Sequence, residues 1–327
     1  MVYITFPRVD LDNHADLVAW RGKKNYNDSD WKALKSSFLP SQARPLRNIH
    51  ALPKCWFSEL PQGDNFVQDV EHFRPKANAK PLDNKGKTQW KTTVDKKIGF
   101  PIFQDSSIGA YPWLKFDYRN YRFVTGRTNR GGGKHDYFPI ALNSNRLVEP
   151  QTPWTTKEYS FLLDPTNPHD AQQLWVLPSG QIRPKAPKPM NPVLSTDYTN
   201  LNATWQQDQF NYIRSWVTIC LYRLEEGVLI KARKGVYNNT LKNLNRLVRF
   251  GIMENNTPLI REYVNDIYEA MLPSAPFALA ARCALANYSP SSLLIQPKLM
   301  PILNKIIKRL KDQIKSIEQT PINWTNQ

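Results

Sequence analysis

The sequence predicts an α+β protein, and three features of its texture carry that prediction. From Cys55 to about Pro184 the chain is rich in proline, glycine and aromatic residues, with short strand-like runs between turn signals. Beyond residue 203 apolar residues recur at threes and fours, the period of helices buried by one face. Between the two lies Lys185-Ala186-Pro187-Lys188-Pro189-Met190-Asn191-Pro192, which reads as a stiff, extended connector. The expected organisation is a lead-in over 1–54, an α+β domain over 55–185, a Pro-rich linker over 186–202 and a helical domain over 203–327. At 327 residues the chain is long enough to bury a sizeable core in one large or two modest domains.

Each element has a local reason. In the lead-in, Asp28-Ser29-Asp30 can cap a short helix from Trp31. Strands are expected at Phe66–Val70, Tyr121–Val124 and Gln173–Leu177, the last followed by a Pro178-Ser179-Gly180 turn. In the helical half, Trp205, Ile213, Trp216, Val217, Cys220, Leu221 and Leu224 share one face. Thr257 reads as an N-cap with Pro258 in the first turn, ahead of Leu259, Ile260, Tyr263, Val264, Ile267 and Met271. A last helix near 299–318 sets Leu303, Ile306, Leu310, Ile314 and Ile317 opposite five basic residues. That stripe suits a core face, and its near-heptad Leu303, Leu310 and Ile317 also suit a partner helix.

Charge narrows the function. There are 44 Lys+Arg against 28 Asp+Glu, a net charge of +16, which favours a polyanionic partner through counterion release. No stretch approaches the ~18 apolar residues of a membrane span, so no membrane partner is expected. Met1 to Asp10 lacks the pattern of a signal peptide. Cys55, Cys220 and Cys283 are too few and too scattered for a disulfide framework, and the expected location is the cytoplasm.

The chemistry concentrates in Asp69-Val70-Glu71-His72-Phe73-Arg74-Pro75-Lys76, read with Asn120 and Asn129. A strand would present His72 at its end, where Phe73 and Pro75 stop it. A second strand opened by Asn120 would turn, from Thr125 to Arg130, into a short helix carrying Asn129. Phosphodiester hydrolysis needs a base for the attacking water and a divalent cation for the charge at phosphorus. His72, neutral near pH 7, suits the first role. Glu71 and Asn129 offer oxygen ligands of the kind Mg²⁺ or Mn²⁺ accepts. Asn120 is expected to hold the loop and position His72, while Arg74, Lys76 and Lys134 would contact phosphates. His135 reads either as a further ligand or as an exposed loop histidine.

This residue order resembles that of HNH (ββα-metal) endonucleases. In particular it resembles those found with retrons and as the nuclease subunit of Septu antiphage systems (PtuB-like). The likeness includes Cys55-Trp56-Phe57-Ser58-Glu59, the aromatic approach Tyr111 to Asn120, Phe138-Pro139-Ile140, Leu162-Leu163-Asp164-Pro165 and Gly180 to Pro184. It covers about 50–185 well and the helical half only loosely, through Tyr222-Arg223-Leu224 and Lys231-Ala232-Arg233. It implies a ββα-metal nuclease core followed by a mainly helical C-terminal region, with His72, Glu71, Asn120 and Asn129 as the catalytic set. It also implies an antiphage nuclease effector acting on DNA beside an ATPase subunit of the same system (PtuA-like). An RNase using the same site, or a non-catalytic nucleic-acid-binding subunit, are the alternatives.

Departures from the family pattern carry expectations too. Many relatives hold a structural zinc with two Cys-x-x-Cys pairs. Here those places are Cys55 and Ser58, then Thr125 and Thr128, so no structural zinc is expected. Gly131-Gly132-Gly133 should weaken the helix bearing Asn129 by roughly 1 kcal/mol per glycine. With Lys134 it also lacks the spacing of a Walker phosphate loop, so ATP control would need another chain. The run 76–97 carries Lys76, Lys80, Lys85, Lys87, Lys91, Lys96 and Lys97 against Asp83 and Asp95. It reads either as a solvated loop or as an electrostatic arm in which Lys85, Lys87 and Lys91 follow a nucleic-acid backbone. Trp90, Trp113, Tyr118 and Tyr121 read as buried aromatics or as stacking platforms.

Overall fold

The computed structural model describes residues 1, 29, 54–61, 68–82, 90–102, 104, 109–130, 132–145, 147, 158–190, 192, 198, 204–289 and 299–319. It is an α+β structure with two small antiparallel sheets and a mainly helical second half. The lead-in helix expected at Trp31 lies outside the described residues, as do Lys85 and Lys87.

β1 (Gln68–His72) pairs with β2 (Tyr121–Thr125) in the register Val70↔Phe123, Glu71↔Arg122, His72↔Tyr121. β1 thus ends two residues later than the sequence suggested and includes His72. Every residue of β2 is buried, so both its faces are covered. β3 (Leu174–Val176) pairs with β4 (Ile182–Pro184) across the expected turn.

The stretch read as a loop or arm contains α1 (Trp90–Ile98). Trp90, Val94 and Ile98 stand four residues apart, one helical face, and Val94 and Ile98 are fully buried. This helix packs on the later helix Thr204–Leu221, so a freely solvated loop is ruled out for 90–98. Lys96 and Lys97 sit in its last turn, where the helix dipole favours cations. α2 (Gly126–Asn129) follows β2 directly and is four residues long. α3 (Pro168–Ala171) is equally short.

The helical half consists of α4 (Thr204–Leu221), α5 (Gly227–Arg246), α6 (Thr257–Met271), α7 (Ala278–Asn287) and α8 (Met300–Gln319). α5 runs into a π-helical turn over Leu247–Ile252. The cap of α6 is Asn256, not Thr257: its Oδ1 accepts the Leu259 N–H at 3.2 Å, and Thr257 is already helical. On α8, Leu303, Leu310 and Ile314 are buried against Leu244, Leu247, Ile267 and Met271, so the stripe is a core face.

One buried cluster joins the two halves. Phe57, Phe73, Val124, Phe138 and Leu162 from the first half belong to the same cluster as Ile213, Val217, Tyr222, Phe277 and Cys283 from the second. Tyr198, from the Pro-rich connector, is buried between Phe161 and Phe210 at ring distances of 5.8 and 5.5 Å. The connector therefore contributes to the core instead of acting purely as a spacer. Among the described residues no helix is long and apolar enough to cross a membrane.

Candidate active site at the end of the first strand pair

His72 is the last residue of β1, buried, with the Tyr121 ring edge-on at 5.2 Å. Its Nε2 lies 2.8 Å from the Lys115 carbonyl oxygen. A carbonyl only accepts, so Nε2 carries the hydrogen and Nδ1 is the accepting nitrogen. Burial, assisted by the charges of Lys76, Lys134 and Lys115, brings the imidazolium pKa down to about 3, so the ring is neutral at pH 7.

Glu71 is buried beside it. Its Oε1 accepts from Lys134 Nζ at 2.6 Å and from the Tyr222 hydroxyl at 3.0 Å. Its Oε2 is buried with no hydrogen-bond partner. Burial raises the Glu71 carboxyl pKa, against the pull of Lys134.

Asn120 clamps the backbone just beyond His72. Its Oδ1 accepts the Arg74 N–H at 2.8 Å, its Nδ2 donates to the Arg74 carbonyl at 2.9 Å, and its own carbonyl accepts the Phe73 N–H at 2.8 Å. Asn129 closes α2, with Nδ2 donating to Asp69 Oδ2 at 3.3 Å, which leaves its Oδ1 as an acceptor.

A pocket of about 350 Å³ gathers Asp69, Glu71, His72, Lys76, Asn129, Arg130, His135 and Asp136. His72, Glu71, Asn129 and Lys76 thus share one cavity wall, while Asn120 stands behind it. Asp69 and Arg130 were missed by sequence reasoning. Arg130 Nε donates to Asp69 Oδ2 at 2.7 Å and Nη2 to Oδ1. The two-residue period of β1, which sets Asp69 and Glu71 on one face, was the available signal. His135 is exposed at the rim, with Nδ1 2.8 Å from Asp136 Oδ2.

Two expected phosphate contacts are corrected. Lys134 is fully buried; besides Glu71 it donates to the His72 and Phe73 carbonyls at 2.8 and 2.9 Å, so it cannot reach a phosphate. The glycines before it explain how it gets there. The chain folds back on α2, with Lys134 N–H bonding the Thr128 carbonyl at 2.9 Å, and a Cβ at Gly133 would lie 2.2 Å from that same oxygen. Gly133 therefore permits a close return that plugs Lys134 under the strand end. Arg74 is the second correction. Its Nε donates to Glu158 at 2.7 Å, its guanidinium covers the Phe73 and Phe138 rings, and its side chain is only 12% exposed. Lys91 pairs with Asp95 at 2.6 Å along α1. Of the aromatics, Tyr121 is buried, Trp90 packs on Tyr137 and Trp113 on Tyr111; the Tyr118 side chain lies outside the described residues.

Cys55, Ser58, Thr125 and Thr128 converge. Cys55 Sγ is 3.7 Å from Thr128 Oγ1, Thr125 Oγ1 is 3.3 Å from the same hydroxyl, and the Ser58 N–H reaches Cys55 Sγ at 3.4 Å. One thiol among hydroxyls is a hydrogen-bonding knot, not the donor set of a zinc site.

For a hard divalent cation the pocket is better suited. Glu71 Oε2 is an orphaned buried oxygen, and Glu71 and Asn129 both line this pocket. Among the described residues no group of three His, Cys, Asp or Glu side chains could hold a metal. A sparse protein ligand set completed by water and substrate phosphate is the usual arrangement for Mg²⁺. Comparison of the chain with models of protein families, with curated proteins and with solved structures returns no match.

Proposed function

We propose that the chain is a metal-dependent HNH-type endonuclease that hydrolyses nucleic-acid phosphodiester bonds, with DNA as its expected substrate. The observation carrying this reading is a strand–strand–helix unit that puts His72, Glu71 and Asn129 on one pocket, with Asn120 fixing the backbone behind them. His72 Nδ1 takes the proton of the attacking water. Glu71 Oε2 and the Asn129 amide oxygen would hold Mg²⁺ or Mn²⁺. When bound, the cation supplies charge stabilisation at the phosphate and at the leaving oxygen. Lys76, on the same wall, offers positive charge to the substrate, and the net charge of +16 favours a polyanion. The meeting of Cys55, Ser58, Thr125 and Thr128 supports the resemblance, since relatives carry their zinc cysteines at those places. The role in antiphage defence, the ATPase partner and the cytoplasmic location rest on the resemblance and on composition alone.

The test is cleavage of plasmid DNA and of RNA with Mg²⁺ or Mn²⁺, by the wild type and by His72→Ala. The variant should keep its fold and its nucleic-acid binding and lose cleavage. Cleavage at the wild-type rate by a folded His72→Ala protein would refute the assignment.

A further inference from the structure

Tyr222 lies just past α4 in the helical half, 151 residues from Glu71, yet its hydroxyl donates to Glu71 Oε1 at 3.0 Å. The side chain is fully buried, with its ring stacked on Phe57 at 3.6 Å and 11°. Burial, with the neighbouring Glu71, raises the phenol pKa well above its ordinary value, so the hydroxyl stays protonated and donates. Lys134 Nζ reaches the same oxygen at 2.6 Å. Both donors converge on Oε1, and Oε2 is left buried without a hydrogen-bond partner. A buried carboxylate held for stability alone gains most from a donor on each oxygen, because an unsatisfied buried acceptor keeps its full desolvation cost. The one-sided arrangement instead fixes the carboxylate plane and keeps its second oxygen for something else.

We propose that Tyr222 is a positioning residue of the cation site: with Lys134 it locks Glu71 through Oε1 so that Oε2 is presented to a divalent cation. This rests on the metal-dependent reading above. The helical half thus forms part of the site through a residue that touches neither substrate nor cation. Groups that orient a metal ligand in this way typically contribute about 10–100-fold to metal affinity.

Tyr222→Phe deletes the hydroxyl and keeps the ring on Phe57. Mn²⁺ binding to the full chain is measured without substrate, from the electron paramagnetic resonance signal of free Mn²⁺. The expected result is binding by the wild type and about tenfold weaker binding by Tyr222→Phe, with little change in the thermal midpoint of the metal-free proteins. Equal Mn²⁺ affinity in the two proteins would overturn the positioning role while leaving the metal reading intact. Failure of the wild type to bind Mn²⁺ would overturn both. If Tyr222→Phe lowers the thermal midpoint but not the affinity, the hydroxyl is a stability contact and the proposal fails.

Discussion

Lys134→Met removes one buried charge and keeps the length of the stem. In the native chain Nζ donates to Glu71 Oε1 at 2.6 Å and to the His72 and Phe73 carbonyls at 2.8 and 2.9 Å, with no exposed surface. Removing one partner of a buried ion pair costs about 3–5 kcal/mol, and each stranded carbonyl adds about 1–3 kcal/mol. Such losses in one network are not additive. The expected destabilisation is therefore about 4 kcal/mol, a large share of the roughly 5–15 kcal/mol that holds a typical domain. With a urea m-value near 3 kcal/mol/M, the midpoint should fall by about 1 M or more. The deficit should also depend on pH in a definite direction. Burial raises the folded pKa of Glu71, and without Lys134 that rise is unopposed at this contact. A group with a raised folded pKa favours the folded state at low pH and loses that contribution as pH rises. The gap between variant and wild type should thus narrow on acidification. A loss below about 1 kcal/mol, or a gap that widens as pH falls, would refute the buried-anchor account. A phosphate contact would behave otherwise, leaving the urea midpoint alone and flattening the salt dependence of DNA binding.

Two further outcomes are expected. His72 resists protonation until about pH 3, whereas the unfolded chain takes up the proton near 6.5. Between those values stability should fall on acidification by about 1.4 kcal/mol per pH unit from this residue; His72→Gln should lack that component in urea titrations at pH 4.5 and 6, and an unchanged slope would contradict it. The Cys55–Ser58–Thr125–Thr128 knot predicts a protein purified without stoichiometric zinc, and elemental analysis giving about one tightly bound zinc per chain would sink that expectation.

What could be read from the sequence was what local pattern encodes. The strand presenting His72 stops near Pro75, and the helix with Asn129 stops before the glycine run, because each end has a neighbour that enforces it. α1 is masked in the sequence by Lys91, Lys96 and Lys97, whose charge dominates a segment in which Trp90, Val94 and Ile98 nonetheless keep the four-residue spacing of a helix. Charge was the least legible property. Arg74 and Lys134 look like phosphate contacts beside a histidine, but their partners decide otherwise, and Glu158 stands 84 residues from Arg74. Tyr222 could not have been linked to Glu71 by any periodicity, since only the shared core brings them together. The helix cap at Asn256 shows the opposite scale of error, a shift of one position between two good capping residues.

The order in which these residues are synthesised has a consequence of its own. A growing chain makes His72, then Asn129 and Lys134, and reaches Tyr222 only after the whole of α4 has been translated. On the proposed reading, cleavage competence is a late event of biosynthesis. The fragment 55–185 carries His72, Glu71 and Asn129, but not the Tyr222 hydroxyl that donates to Glu71 Oε1. The contact on Glu71 Oε1 can therefore form only once the chain has passed Tyr222, well after residues 55–185 have been made.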